Sequence, residues 1–224
     1  MSARAAHRGL PAWEARRAPR RHGNAGARFA LGIGGDLLWR SDRASHLLQH
    51  QKTLGAFDAF ATYDVWSVRR VIIAVGASLR SEPEFGSSQY QLRNNTVQAD
   101  AMARFQVASW FWPHLRVAVG GVTSHFQRYD NATGETLGDR NGSVAATFGG
   151  GFTLRTPTRL FETDRGRLAS LSFGLLFEAG YTVAKDASFT LKPNTNSNIA
   201  VSTFSIGNIE RSAAYTRFAG VIRF

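Results

Sequence analysis

Cysteine is missing altogether from the 224 residues, and lysine nearly so, with three. Without a thiol there is no disulfide scaffold, no Cys-based zinc site, no iron–sulfur cluster and no thiol catalysis, and the redox compartment stays open. Long apolar runs are missing too. A membrane helix needs about 18 consecutive apolar residues, whereas the longest candidate, Val71 to Ala77, has seven and follows Arg69 and Arg70. With a mean hydropathy of -0.21, a helical membrane protein is excluded. Acids are in short supply, 16 Asp+Glu against 27 Lys+Arg, for a net charge of +11. Located along the chain, that excess loses its nucleic-acid look. Residues 1–28 carry seven arginines and one acid, Glu14, leaving 20 basic against 15 acidic groups in residues 29–224. Arginine outnumbers lysine 24 to 3, which beside abundant alanine reads as GC-rich coding bias; no nucleic-acid partner is expected.

What is present is a period of two. From Val97 to Val107 the odd positions are Val97, Ala99, Ala101, Ala103, Phe105 and Val107, and the even ones Gln98, Asp100, Met102, Arg104 and Gln106. That is strand alternation and not a helical stripe. Seven further segments show it: Phe29 to Arg40, Leu54 to Asp64, Arg70 to Arg80, Leu115 to Arg128, Val144 to Arg155, Leu171 to Thr182 and Ser212 to Phe224. Two are irregular: Leu54 and Phe60 fall on an otherwise polar parity, and Gly120-Gly121 suggests a bulge. The connections Ser41 to Lys52, Ser81 to Thr96, Asp130 to Gly142 and Lys185 to about Arg211 are long, polar and rich in turn residues, so they read as loops. The other set is mostly tight, at Asp64 to Ser67 and Trp112-Pro113-His114, with Thr156 to Arg167 the exception. Long loops at one end and short turns at the other suit antiparallel strands joined up and down.

Alternation alone leaves open whether the apolar face points into a soluble, lipocalin-like barrel or outward into lipid. Three features favour lipid. The non-apolar face is small or polar, with isolated charges of both signs, where a water-facing wall would carry many long Lys and Glu. Aromatics gather at strand ends: Trp39 and Tyr181 near the long loops, Tyr63, Trp66, Trp110, Phe111, Trp112, Phe218 and Phe224 near the short turns. Rings of this kind form interfacial girdles, for which Trp39, Tyr63, Trp66, Trp110, Trp112 and Tyr181 are the candidates. The loop asymmetry matches short periplasmic turns and long extracellular loops.

The chain closes on Tyr215, Thr216, Arg217, Phe218, Ala219, Gly220, Val221, Ile222, Arg223 and Phe224, a terminal aromatic with alternating apolar residues before it. This ending resembles the C-terminal signal of bacterial outer-membrane β-barrels, carried by Tyr215, Arg217, Phe218, Ala219, Gly220, Ile222 and Phe224. With eight strands, residues 28–224 are most similar to the small OmpA/OmpX-type barrels. One departure is Ala219, where the signal usually has glycine. The resemblance implies an all-β fold, an eight-stranded antiparallel up-and-down transmembrane β-barrel. It also implies a Gram-negative outer-membrane location with long loops outside and termini in the periplasm. The partners implied are outer-membrane lipid and lipopolysaccharide, and the barrel-assembly machinery during biogenesis. A monomer is expected.

Parity puts Asp36, Asp58, Asp100 and Glu178 on the same side as Arg70, Arg104, Arg116 and Arg217. An eight-stranded barrel is only wide enough to be filled by its own side chains, so a charge-balanced plug is favoured over a conduit or a catalytic pair. A structural or surface-interaction role ranks first and a narrow porin-like channel for small solutes second. Lipid-modifying enzymes of this size carry a His-x-Ser-Asn stretch that is absent here; Ser124-His125 is the nearest approach, and adjacent strand residues face opposite ways. No enzyme activity is expected. His46 and His50 have no third ligand in sequence, His114 reads as a turn residue, and Gly32-x-Gly34-Gly35 precedes no helix, so no metal and no cofactor are expected. Residues 1–27 form a basic segment, expected to be disordered, without the apolar core of a signal peptide. A misassigned start is favoured over a genuine periplasmic tail or a protein that is not exported.

Overall fold

Residues that alternate this sharply in polarity can be sorted only by a sheet, and a sheet whose two edges pair with each other needs no cover for its backbone. The computed structural model describes residues 28–40, 53–83, 85–87, 90–130, 135–156, 171–193 and 204–224. Eleven strands form one sheet: β1 (Phe29–Trp39), β2 (Thr53–Val68), β3 (Val71–Ser81), β4 (Phe85–Ser87), β5 (Tyr90–Phe105), β6 (Phe111–Asp130), β7 (Glu135–Arg155), β8 (Ser172–Ala184), β9 (Ala187–Pro193), β10 (Phe204–Ile209) and β11 (Ala213–Arg223). Eight of them, β1, β2, β3, β5, β6, β7, β8 and β11, make an antiparallel ring. The seam lies between first and last strands, paired from Ala30↔Arg223 to Trp39↔Ala214. Beyond it Phe29 and Phe224 exchange backbone hydrogen bonds of 3.0 and 2.9 Å. The expectations for residues 1–27, and for His46 and His50, fall outside the described residues.

The hydrophobic side of the wall faces out. Ile33 is 64% exposed, Val117 59%, Val119 58% and Val144 70%, while Asp36, Asp58, Arg116, Glu178 and Arg217 are buried inside. Such sorting inverts a water-soluble barrel. Phe60, on the polar parity, points inward, packs with Leu176 and Ala219, and lies over Gly32, where any Cβ would collide with its ring.

Gly120-Gly121 is no bulge: the β5–β6 and β6–β7 registers run through it unbroken. Gly120 answers a different need, since a Cβ there would meet the backbone of Gln98 at 2.6 Å. The shift of register in the ring falls between Asp64 and Trp66 in β2.

At the long-loop end the strands outrun expectation. Parts of Ser81 to Thr96, Asp130 to Gly142 and Lys185 to Arg211, read as loops, belong to β4, β5, β7, β9 and β10, and β6 and β7 stay paired up to Asp130↔Glu135. The period of two fades there because both faces carry polar residues, although inward Leu92, Phe126, Leu137, Ala187, Phe189, Leu191 and Ile209 form an apolar core. Polarity therefore reverses along the wall. Inward side chains change from Arg116 and Ala118 to Val122 and Phe126, and outward ones from Val117 and Val119 to Thr123 and His125.

At the other end, the β2–β3 turn is Arg69-Arg70, closed by the pair Val68↔Val71, with Arg69 at φ 53° in the left-handed region. The β5–β6 turn spans Gln106 to Trp110 and not Trp112-Pro113-His114: the Gln106 amide donates to the Arg70 carbonyl at 2.7 Å, and Pro113 sits near the start of β6, a tolerated place for a residue without an N–H.

Candidate functional site

The interior is a stack of three charged layers. In the middle one, Arg217 on β11 reaches Asp58 on β2 (Nη2 to Oδ1, 2.8 Å), Asp36 on β1 (Nε to Oδ1, 3.3 Å) and Glu178 on β8 (Nη1 to Oε1, 3.5 Å). Arg116 on β6 reaches Asp100 on β5 (Nε to Oδ1, 2.8 Å), Glu178 (3.3 Å) and the Ser78 hydroxyl (2.9 Å). Arg80 on β3 donates to Asp36 at 2.5 Å and to Thr182 at 3.2 Å. Glu178 collects the most donors. Besides the two guanidiniums it accepts from the Tyr215 hydroxyl at 2.7 Å, and His114 Nε2 lies 3.0 Å away. Nearly every carboxylate is thus met by a group on another strand, as burial of ionised groups requires.

Toward the short-turn end, Asp64 accepts from Arg104 at 2.8 Å and also pairs with Arg223. Arg104 further donates to Thr62 (2.7 Å). Trp112 stacks beneath the guanidiniums of Arg155, 4.1 Å from the ring centroid, and Arg223, 5.1 Å, an attraction of cation and π face. Toward the long loops, Arg40 and Asn94 both donate to Glu82 at 2.6 Å, and Arg211 ties Asn141 and Ser143 of β7.

Of the residues expected in the lumen, Asp36, Asp58, Asp100, Glu178, Arg104, Arg116 and Arg217 are there. Arg70 is not: it lies exposed in the two-residue β2–β3 turn, beyond the end of the wall. Arg80 holds Asp36 instead. Also missed were Asp64, Arg155 and Arg223, all inward toward the short-turn end of β2, β7 and β11, together with Arg40, Glu82, Arg211 and His114. His114 is a buried lumen residue and not a turn residue, because β6 begins three residues before it.

Among the girdle candidates, Trp39, Tyr63, Trp66, Trp110 and Tyr181 have their rings exposed on the outer wall or its rim. Trp112 is a correction. It shares the inward parity of His114 and Arg116, is 2% exposed, and serves as the floor of the arginine stack. An outward row of phenylalanines crosses three strands, Phe152 over Phe177 at 5.2 Å and Phe177 against Phe218 at 5.5 Å. In the closing segment Phe218, Ile222 and Phe224 face out, Gly220 is exposed, and Tyr215, Arg217 and Ala219 face in.

Chemically the lumen offers acids already committed to cations. Ser124 is buried inside while His125 lies on the outer face, so the two do not form a nucleophile and base. Among the described residues no group of three His, Cys, Asp or Glu is placed to hold a metal ion.

No family model matches the sequence, and no curated protein does. Solved structures are similar in arrangement. The crystal structure of Ail, the attachment invasion locus protein of Yersinia pestis, aligns over 88% of this chain and 99% of its own, with 10% identity and a TM-score of 0.49. Neisserial surface protein A aligns over 88% and 97%, with 12% identity and a TM-score of 0.44. The translocator domain of autotransporter NalP from Neisseria meningitidis aligns over 87% of this chain and 60% of its own, with 11% identity and a TM-score of 0.47.

Proposed function

We propose that this chain is an integral outer-membrane β-barrel of a Gram-negative envelope, a monomer with a structural or surface-interaction role, a plugged lumen and no enzymatic activity. The observation that carries this reading is the inversion of the wall: apolar side chains cover the outside of a closed ring while ionised ones fill its interior. Only helices and closed barrels satisfy every backbone group in hydrocarbon, and an open edge would be costly there. The plug is supported by the three charged layers, in which Arg80, Arg104, Arg116, Arg217 and Arg223 reach groups on other strands.

The wall's chemistry supports one orientation. On the outer face of β5, β6 and β7 one register row reads Val97, Gly121 and Val144, the next Asn95, Thr123 and Gly142, and the next Arg93, His125 and Arg140. Basic groups one row above the polar boundary suit the phosphates of lipopolysaccharide, which supports a reading with this end at the cell surface and the short turns in the periplasm. The exposed Phe218, Ile222 and Phe224 at the seam are what the barrel-assembly machinery would read.

The absence of cysteine makes the test direct. Thr136→Cys on β7 should react with a membrane-impermeant maleimide in intact cells, and Ser109→Cys in the β5–β6 turn should react only after lysis. The purified protein should shift in mobility on a denaturing gel when boiled, and stay silent in a planar bilayer. Recovery in the soluble fraction without a heat shift would refute the membrane reading. Stable unit conductance would refute the plug and favour the narrow channel.

A further inference from the structure

The layer nearest the short turns leaves something unmatched. A cavity there is lined by Arg104, Arg155, Arg223, Trp112, Ser172 and Phe60 among others, and no carboxylate lines it among the described residues. Arg104 and Arg223 share Asp64. Arg155 donates to the Ser172 hydroxyl through Nη2 at 2.5 Å, yet its Nη1 has no partner. Neither has Nε1 of Trp112. Both residues are more than nine-tenths buried, at 8% and 2% exposed. A guanidinium and an indole are donors only, so what completes them must be an acceptor. A buried donor left without one is costly, more so when it is charged.

We propose that this cavity is a binding site for a small inorganic monoanion of chloride size, held by Arg155 Nη1 and Trp112 Nε1 within the field of three guanidiniums. The size follows from the room, which beside these side chains takes about one water-sized object. The sign follows from Arg155, which has no carboxylate partner among the described residues: a water molecule would satisfy the two donors but leave that buried charge uncompensated. Trp112 contributes twice: its face takes the cations and its edge N–H takes the anion. The site therefore locks β6, β7 and β11 together at the mouth of the barrel, and it stands whether or not the plug reading does.

The test is thermal unfolding of the refolded full chain in detergent micelles at constant ionic strength, with chloride, bromide, gluconate or sulfate as the anion. A binding anion raises the midpoint by mass action on the folded state. Chloride and bromide are expected to raise it saturably, and gluconate and sulfate are not. Trp112→Phe keeps the ring and deletes the N–H; it should fold, show the same heat-dependent gel shift, and weaken the apparent chloride constant by roughly tenfold, one hydrogen bond to a charged group. Arg155→Leu should abolish the chloride increment. Superposable curves in chloride and gluconate would overturn the proposal, as would a chloride increment unchanged in Trp112→Phe.

Discussion

Replacing Arg217 by methionine puts the middle layer to a quantitative test. The guanidinium serves three carboxylates, but not equally: Asp36 keeps Arg80 at 2.5 Å, and Glu178 keeps Arg116, Tyr215 and His114. Asp58 loses the one ion-pair partner it has among the described residues, and its Oδ2 already lacks a hydrogen bond. Breaking a buried pair by removing one side costs about 3–5 kcal/mol, because the survivor is left charged and dry. The damage should therefore sit on Asp58. Adding Asp58→Asn to Arg217→Met should recover about 1–3 kcal/mol of coupling, whereas adding Asp36→Asn should recover little. Asp58→Asn alone should cost less than Arg217→Met, since Arg217 retains Asp36 and Glu178. Equilibrium urea unfolding of the refolded barrel, followed by tryptophan emission with the gel shift as a check on folding, measures all four variants. An Arg217→Met cost below about 0.5 kcal/mol, the size of an ordinary surface change, would refute the reasoning, and so would equal rescue by both asparagines.

Three further outcomes follow from the wall. Val119→Arg, on the outward apolar face, should cost about 2–4 kcal/mol in lipid vesicles, and Thr123→Arg, two outward positions along the same strand, no more than about 1 kcal/mol; equal costs would mean that no bilayer boundary lies between them. Gly120→Ala should cost about 1–3 kcal/mol by overpacking, because the new Cβ meets Gln98 Cα at 2.6 Å, while Gly121→Ala, whose Cβ finds nothing nearer than 3.9 Å, should be close to neutral in the same unfolding assay. Phe126→Ala empties the apolar core at the long-loop end, where its ring lies 5.5 Å from Phe189 and 6.2 Å from Tyr90. A truncation of this kind costs about 3–5 kcal/mol, and it should expose Arg128 and Arg140 to limited trypsin digestion while the heat-dependent gel shift survives; loss of the shift would mean that this core and the ring are one unit.

The ring was legible because lipid or any apolar surround forces a strict parity, and parity counts strands without knowing their partners. Eight alternating segments correspond to eight ring strands, and it is β5 and β7 that run well past them at the long-loop end, starting at Tyr90 and Glu135 where the alternation starts at Val97 and Val144. The same rule carried to the ends of the alternating segments would have added Asp64, Arg80, Arg155 and Arg223 to the lumen. Arg70 shows its limit: parity says which side a residue takes only while the strand lasts, and the Arg69-Arg70 turn ends it. Trp112 shows another. Composition placed it among interfacial rings, yet its position two residues before His114 and four before Arg116 puts it inside, under two guanidiniums. Pairings such as Asp58 with Arg217 depend on ring closure across 159 positions of sequence, and no local pattern contains them.

The reversal of polarity along β5, β6 and β7 is the strongest reason to read a membrane boundary in this wall. A strand cannot exchange its faces without a bulge, and none interrupts these registers between Val97 and Leu92 or between Val119 and Phe126. What changes must be the surroundings. Below the row Asn95–Thr123–Gly142 the outside carries Val97, Val119 and Val144 and the inside Gln98, Asp100 and Arg116; above it the outside carries Arg93, His125 and Arg140 and the inside Leu92, Phe126 and Leu137. A soluble barrel in water throughout would need the upper pattern along its whole length. A barrel bathed only in lipid would need the lower one. The outer face changes at one row on three adjacent strands and the inner face just beyond Asn94, Ser124 and Asn141, which fits a wall that leaves hydrocarbon at that level and then folds as water-soluble proteins do.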